Sequence, residues 1–379
     1  MFNVRQQRLA YLALCCAACL VACTGGESFA TRPGFSLYFK QYPPATTIPS
    51  ERQRALLETY RPRIFKAVGQ QGPVDFYHQY IANGVLKANG KTINTPLEQA
   101  TLNRYKNNPH AFFSYHGEAT PGGEAVVYAR FDNDTLIHNG TAYPFAFLTY
   151  NLTFPTSGIL DGLGIFNSAV LRIAGDLTDW HQLDHYVGLS IALYKDQPIA
   201  VMLQQHNYQT TYVLNQKFTL PNDKRIKVDI AKRSNELYLH SAQRVEHPAV
   251  SFTTKDNIEF LLTGNNKPLM AGYDVTHGEQ EIDYQLKLLP QTDAFYQFKG
   301  HLGKSRLLPG RDGPPGADYV TLPAIMPRAV RLVFGFRTTS LQREIEKISE
   351  LFDEQTFSIN IDAINAYSSD FLAAASLLK

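Results

Sequence analysis

The polar segment at residues 179–186 concentrates side chains that could do acid–base or metal chemistry. It contains the only tryptophan of the chain and two of its eleven histidines, and His206 follows the next apolar stretch. The candidate metal ligands are Asp179, His181, Asp184, His185 and His206. Such a set would hold a divalent metal, zinc or magnesium. Asp184, His185 and His206 are also the candidate catalytic groups, because the same side chains serve as general acids and bases.

Two short strands are expected to position these groups. Residues 187–194 and residues 199–206 each alternate large apolar side chains with small or polar ones, which is typical of half-buried strands. The intervening residues 196–198 have turn composition, so the two strands should form a hairpin. Pairing of Leu193 with Ile199 would make the apolar faces of both strands coincide.

That register predicts a cluster at the open end of the hairpin. Tyr186 would lie opposite His206, with Asp184 as a diagonal neighbour within reach of the imidazole. A one-residue slip would bring His185 to the side of His206 instead. The sequence therefore predicts either a metal or acid–base site, or a buried polar network that only fixes the hairpin.

The first residues of the chain have the layout of an export signal. Arg5 and Arg8 precede an apolar run at residues 9–22. As a helix this run would rise about 21 Å, at ~1.5 Å per residue, whereas the hydrocarbon core of a bilayer is ~30 Å thick. The run is therefore a signal core rather than a permanent span. The four cysteines all lie in or directly after it: Cys15, Cys16, Cys19 and Cys23.

The end of the run, Leu20-Val21-Ala22-Cys23, resembles the lipobox of bacterial lipoprotein precursors. The resemblance implies that residues 1–22 are a cleaved signal peptide and that Cys23 becomes the acylated first residue. It also implies the outer membrane as location, with the body periplasmic or on the cell surface, because Thr24 stands where Asp would favour inner-membrane retention. The membrane is then a partner through the lipid anchor. An ordinary signal peptide that contains a cysteine is the alternative.

Charge and hydropathy exclude further classes of partner. The chain has 36 Lys and Arg against 34 Asp and Glu, without a long basic run, so nucleic-acid binding is not expected. No segment after residue 23 reaches the ~18 apolar residues of a membrane-spanning helix. Residues 23–49 are rich in Thr, Gly, Ser and Pro and should form a tether. Its aromatic residues, such as Phe39 and Tyr42, should pack on the body, whose expected partner is an envelope protein or wall component.

Two short helices are expected before the strands begin. Ser50 and Gln53 have the spacing of a capping box at the start of a first helix. Thr95 is the expected N-cap of a second helix, which has Pro96 in its first turn and ends near Lys106.

The remainder of the chain indicates a mainly β fold. From residue 111 to about residue 333, short alternating strands recur between turn residues, as in an antiparallel β-sandwich. We expect a β-sandwich domain with short N-terminal helices at residues 50–333. A small C-terminal α+β addition, mostly helical, should follow at residues 334–379.

A further resemblance covers residues 140–210. An aromatic strand followed by Phe154-Pro155, then Asp179-Trp180, then a strand pair ending at His206, follows the order of features in necrosis- and ethylene-inducing-like proteins. The resemblance implies a β-sandwich, a divalent cation near Asp179-Trp180 and activity against plant membranes. Residues 175–178 differ from the family's histidine-rich motif at this place.

Three hypotheses about function stand in this order. The first is a lipid-anchored cell-envelope lipoprotein that acts as a binding or structural component. The second is a metal-dependent hydrolase centred on Asp184, His185 and His206. The third is a membrane-active protein of the necrosis-inducing kind. No known catalytic motif decides between them, so whether the chain is an enzyme stays open.

Overall fold

The protein is mainly β over the residues that its computed structural model describes. These are residues 37–40, 42–115, 123–138, 140–158, 161–162, 184–205, 208–214, 219–250 and 270–302. Several antiparallel sheets dominate this part of the chain, which confirms the mainly β class expected from the sequence. The signal peptide at residues 1–22, most of the tether and the C-terminal addition at residues 334–379 lie outside the described residues.

Three short α-helices and seventeen strands are described. The helices are α1 (Glu51–Thr59), α2 (Gln99–Tyr105) and α3 (Ala294–Gln297), with a π turn at Phe76–Tyr80 and a 3-10 turn at Ile81–Asn83. The first ten strands are β1 (Leu37–Lys40), β2 (Arg63–Lys66), β3 (Gly84–Ala88), β4 (Lys91–Thr92), β5 (Ala111–Tyr115), β6 (Val126–His138), β7 (Thr141–Phe154), β8 (Asp184–Tyr194), β9 (Gln197–Gln205) and β10 (Tyr208–Val213). The others are β11 (Lys227–Ile230), β12 (Leu237–Leu239), β13 (Val245–Val250), β14 (Met270–Thr276), β15 (Gln280–Glu281), β16 (Gln285–Leu288) and β17 (His301–Leu302). None of the helices in this described part is long and apolar enough to cross a bilayer.

The largest sheet has seven strands in the order β1-β6-β7-β8-β9-β10, with β16 also paired to β6. One face of it carries alternating apolar residues such as Leu148, Tyr150 and Leu152, all fully buried. This face shares its core with the four-stranded sheet β12-β11-β2-β15, through residues such as Ile64 and Val228. Burial of the alternating apolar face on a second sheet is what holds the two layers together.

Not all pairings are antiparallel, which the sequence did not predict. β2 pairs with β11, β5 with β17 and β6 with β16 in parallel register. Each parallel pair joins strands that are far apart in the chain, as parallel pairing requires a long crossover. Three of the four described sheets are therefore mixed, each mostly antiparallel with one parallel pair, whereas β13 and β14 pair in antiparallel register. The sandwich topology stays a prediction.

Helix α1 forms as the sequence predicts. The Ser50 N–H donates to Gln53 Oε1 at 2.8 Å, so the capping box is present. Leu57 is fully buried in the core, and its carbonyl accepts a hydrogen bond from the Tyr150 hydroxyl at 2.8 Å. The cap and the buried leucine together fix where this helix starts and which face it buries.

Helix α2 begins later than the sequence predicts. Its N-cap is Glu98, not Thr95, and its first residue is Gln99. Leu97 is buried in a second core below the seven-stranded sheet, which holds the preceding residues outside the helix. The Thr101 hydroxyl donates to the Pro96 carbonyl at 3.0 Å. Tertiary burial of Leu97 therefore overrides the local capping signal at Thr95.

The second core is aromatic and encloses a polar network around Asp75. This core includes Phe76, Tyr80, Phe113, Tyr128, Phe295 and Tyr296. Asp75 is 5% exposed, and its Oδ1 accepts from the N–H groups of Tyr77 and His78 at 3.0 Å and from the Tyr128 hydroxyl at 2.6 Å. Its Oδ2 pairs with the ammonium of Lys287. Burial raises the pKa of Asp75, but the bonds from Lys287 and Tyr128 outweigh it and hold the pKa below its ordinary value.

Candidate functional site

Most residues of the predicted metal site lie outside the described part of the chain. This applies to Asp179, His181 and His206, and also to the predicted lipid-attachment residue Cys23. Asp184 and His185 begin β8, where Asp184 pairs with Phe154 across the ladder. Within the described ranges, no three His, Cys, Asp or Glu side chains are grouped so that they could hold a metal ion. The proximity of Asp184, His185 and His206 therefore stays a prediction.

The hairpin of β8 and β9 has the predicted register over most of its length. Leu189 pairs with Leu203 and Ile191 with Val201, as a pairing of Leu193 with Ile199 would require. Leu193 itself pairs with Pro198, however, because the register shifts after Ala192. The predicted pairing of Leu193 with Ile199 was therefore wrong.

The reason for the shift is the turn. Lys195 and Asp196 both have positive φ, 52° and 61°, which is typical of a two-residue type I′ hairpin turn. The turn therefore lies one residue earlier than the predicted residues 196–198, and β9 already begins at Gln197. A bulge beside Pro198 absorbs the extra residue, at a place where proline does not have to donate to the ladder.

A groove at the edge of β6 is a candidate binding site in the described residues. It consists of two adjoining cavities of about 450 and 780 Å³. Both are lined by Gln53, Phe131, Asn133, Pro144 and Phe145, so they form one continuous depression, here named the edge groove. Each cavity falls within the ~300–1,000 Å³ range that is usual for ligand sites.

The groove exists because the edge of β6 is incompletely covered. β1 pairs with residues 135–138 of β6, and β16 pairs with residues 126–129. Residues 130–134 between them have no neighbouring strand on that edge among the described residues. Exposed strand edges attract other chains unless they are protected. Here the Gln291 amide donates to the Phe131 carbonyl at 3.3 Å and blocks part of the edge.

One wall of the groove is the strap, which we define as residues 42–49. The Tyr42 hydroxyl bonds Thr135 Oγ1 at 2.9 Å, and the Ala45 N–H donates to Gln291 Oε1 at 2.7 Å. Prolines at positions 43, 44 and 49 favour an extended strap. Together with Phe39, which is buried in β1, these contacts confirm that the aromatic part of the predicted tether packs on the body.

The floor of the groove carries an ion pair between the partly exposed Arg130 and the buried Asp132. Arg130 Nε donates to Asp132 Oδ2 at 3.1 Å, and its guanidinium lies 4.9 Å from the ring centre of Tyr296. The Gln291 amide donates to the other oxygen of Asp132. Burial raises the pKa of Asp132, although Arg130 and Gln291 act in the opposite direction.

The groove carries equal numbers of basic and acidic side chains. Arg52 of α1 pairs with Asp196 of the β8–β9 turn at 2.7 Å, an exposed contact of small energetic value. Over both cavities the charged lining residues are Arg52, Arg130, Lys195, Asp132, Asp134 and Asp196. Three basic and three acidic groups make the groove formally neutral. Asn133 is exposed in its centre.

A second polar cluster, which sequence spacing did not reveal, joins Asp229 to His240. Asp229 is fully buried, and its Oδ1 lies 2.6 Å from His240 Nδ1, while its Oδ2 accepts from the Ser241 N–H at 3.0 Å. The His240 ring stacks on Phe65 at 4.0 Å. Gly278 passes so close that a Cβ there would lie 2.1 Å from Asp229 Oδ1. The carboxylate fixes the orientation of the imidazole, as in catalytic and metal-binding histidines.

A third cluster is centred on the buried carboxylate of Asp274. It accepts from the Ser234 N–H and hydroxyl, both at 2.7 Å, and from the Val275 N–H at 2.7 Å. Burial raises the pKa of Asp274, and the bonds from Ser234 and Val275 only partly offset this. On the same hairpin, His247 Nε2 bonds Thr276 Oγ1 at 2.8 Å. In the described part of the chain, the hydrogen bonds that this carboxylate accepts come from Arg233 and Ser234 of a loop and from the adjacent Val275, so we interpret the cluster as structural.

Comparison with known proteins supplies no relative. No protein-family model matches the chain, and no curated protein and no solved structure is similar to it. The two resemblances described above therefore rest only on the residues quoted for them. The function is therefore inferred from the geometry of the edge groove.

Proposed function

We propose that this protein is a lipid-anchored lipoprotein of the cell envelope, held in the outer membrane through Cys23, whose body binds an envelope component in the edge groove. The observation that carries the proposal is that the predicted tether continues directly into a wall of the groove. The strap at residues 42–49 ends the predicted tether and also forms a wall of the groove. Anchor and binding site are thus successive parts of one segment.

The anchor half of the proposal depends on the thiol at position 23. No cysteine follows it in the chain, so a disulfide with a later residue is impossible. Each buried methylene of an acyl chain contributes about 0.8 kcal/mol, so one chain binds weakly and two or three bind firmly. Acylation would turn an otherwise free exported thiol into a stable membrane attachment.

The length of the tether supports the proposal that the groove binds an envelope component. The chain between Cys23 and Tyr42 spans at most about 65 Å, at roughly 3.4 Å per residue when fully extended. A ligand that contacts Tyr42 would therefore lie within about that distance of the bilayer. This favours a component of the envelope itself, a wall or surface partner, over one that is free at a distance.

Replacement of Cys23 by Ser tests the anchor. In the wild type, the processed protein should carry the mass of its acyl chains and sediment with outer membranes. Cys23→Ser should abolish both, because an oxygen at this position is not the thiol that is acylated. Cys19→Ser is the matched control, since that residue would leave with the signal peptide. Unchanged mass, processing and membrane fractionation in Cys23→Ser would refute the proposal.

A second candidate function is a metal-dependent hydrolase centred on Asp184, His185 and His206. The observation that favours it is the register of β8 with β9, in which Gly188 pairs with Gln204 and Leu189 with Leu203. This is the register from which a contact of Asp184 with His206 was predicted. Its test is the metal content of the purified protein, as described in the Discussion.

A further inference from the structure

We infer that one end of the second core is a docking surface for the anionic lipid head groups of the membrane that holds the anchor. This surface, here named the basic end, comprises Lys87, Lys91, Arg104, Lys106 and Lys299. The inference rests on the lipid anchor proposed above and adds which side of the body faces the bilayer. Three observations support it: the segments that carry these cations converge, they contain no acidic residue, and local structure does not account for their charge.

Three segments of the chain meet at the basic end. The turn between β3 and β4 contacts the loop after α2, because Asn108 Nδ2 donates to Asn89 Oδ1 at 3.3 Å. The loop before β17 contacts the end of α2, because the Lys299 N–H donates to the Lys106 carbonyl at 2.7 Å. The cations of these segments therefore lie at the same end of the second core, although no basic run joins them in the sequence.

The segments that form the basic end contain no acidic residue. Residues 84–92, 99–111 and 298–302 include five Lys or Arg and no Asp or Glu. The carboxylates of Asp75 and Asp293, in the same core, are almost fully buried and accept hydrogen bonds from within it. None of the five cations forms an ion pair with an Asp or Glu of the described residues, whereas seven Lys and Arg side chains elsewhere in that part do.

Local structure does not account for this concentration of positive charge. The C-terminus of a helix favours cations in its last turn, which explains Arg104 and Lys106 at the end of α2. It does not explain Lys87, Lys91 and Lys299, which are exposed on two strands and a loop. Like charges on one surface repel one another, so the fold retains the basic end at a cost that an anionic surface would relieve.

The anchor makes the membrane surface the best-matched partner. Lipid phosphates are anionic groups that the tether would keep within reach of the body. Each Lys or Arg close to an anionic leaflet strengthens attachment about fivefold, which is weak for a free protein. Tethering gives the body a high effective concentration at the bilayer, so this weak attraction suffices. Glu98, at the opposite end of α2, offsets only one of the five charges.

Energy transfer from a fluorophore on the basic end to acceptor-labelled lipids measures the docking. The fluorophore is attached to the acylated, processed protein through Thr92→Cys, at an exposed residue of β4. Transfer should be higher in vesicles of equal parts phosphatidylglycerol and phosphatidylcholine than in phosphatidylcholine alone. In 1 M NaCl the difference should vanish, because the Debye length falls to about 3 Å. A fluorophore at Asn222→Cys, in an exposed turn outside the second core, should show a smaller difference.

Neutralising variants, labelled at the same position of β4, identify the residues that dock the body. The test variant replaces three cations of the basic end: Lys91→Gln, Arg104→Gln and Lys299→Gln. It should lower the ratio of docked to undocked protein about hundredfold on the anionic vesicles. The control variant replaces three exposed cations of other loops: Lys224→Gln, Lys232→Gln and Arg244→Gln. It should dock as the wild type does, and both variants should match the wild type in thermal melts.

The outcomes separate this inference from the anchor proposal. Equal transfer in the two kinds of vesicle, or docking that the test variant retains, would overturn the inference. Poly-glutamate is the probe for an acidic protein, and loss of docking when its charge concentration equals that of the lipid would overturn the inference in favour of such a partner. Failure of the anchor looks different, because Cys23 would then take up a second fluorophore and the protein would leave both kinds of vesicle.

Discussion

The carboxylate of Asp75 provides a sharp test of how the second core is held together. Three of its four hydrogen bonds converge on one oxygen, Oδ1, from the N–H groups of Tyr77 and His78 and from the Tyr128 hydroxyl. Among the described residues only Lys287 bonds Oδ2, and its side chain is 42% exposed. Asn in place of Asp75 would keep an oxygen at the Oδ1 position, whereas Ala would keep nothing.

The two substitutions should therefore differ strongly in their effect on the free energy of unfolding. Asp75→Ala removes an N-cap, which costs about 0.5–2 kcal/mol, and leaves the buried Tyr128 hydroxyl without an acceptor, which costs about 1–3 kcal/mol. Together these give a loss of about 3 kcal/mol. Asp75→Asn loses only the ion pair with the half-exposed Lys287, which is worth about 1 kcal/mol or less.

Urea unfolding followed by circular dichroism measures both losses, provided that the slope of the transition is unchanged. Asp283→Ala, at an exposed acidic residue, is the control and should be neutral. Because the pKa of Asp75 is lowered in the folded state, the advantage of the wild type over Asp75→Asn should be constant above about pH 5. It should shrink as the pH falls through that lowered pKa. Equal losses in the Ala and Asn variants would refute the geometric argument.

Two further predictions concern the Asp229–His240 pair and the predicted metal ligands. Gly278→Ala should destabilise the protein by about 1–3 kcal/mol, since its Cβ would lie 2.1 Å from Asp229 Oδ1 and 2.7 Å from His240 Nδ1. Gly72→Ala, whose Cβ would meet only Ile282 Cδ1 at 3.8 Å, should be nearly neutral in the same thermal melts, and equal effects would contradict the close approach. The metal hypothesis predicts one zinc per chain by elemental analysis and its loss in His206→Ala. Zinc-free wild type that unfolds identically in EDTA would eliminate that hypothesis.

Local patterns predicted those parts of the fold that depend on neighbours in the chain. The Ser50 and Gln53 capping box forms because both partners lie within one helical turn. The pairing of Leu189 with Leu203 follows from alternation on two strands joined by a short turn. The predicted turn at residues 196–198 failed by one residue, because Lys195 and Asp196 adopt left-handed conformations that composition did not indicate.

Other predictions failed, or could not be made, where residues far apart in the chain determine the local structure. Thr95 does not cap α2 because Leu97 is buried in a core that residues far along the chain complete. Asp229 and His240 are 11 residues apart in the sequence, and the pairing of β11 with β12 places Asp229 Oδ1 and His240 Nδ1 2.6 Å apart. No signal short of that pairing could have joined them.

The sequence by itself determined the mainly β class and most of the register of the central hairpin. Both depend on alternation within short segments and on the turns between them. The signal-like N-terminus and the role of Cys23 stay predictions from the sequence. Only the tertiary structure decided the edge groove. It arises because β1 and β16, from opposite ends of the described chain, cover the two halves of one edge of β6 and leave residues 130–134 between them open. Such a gap depends on how far each distant strand extends along β6, and no local periodicity carries that information.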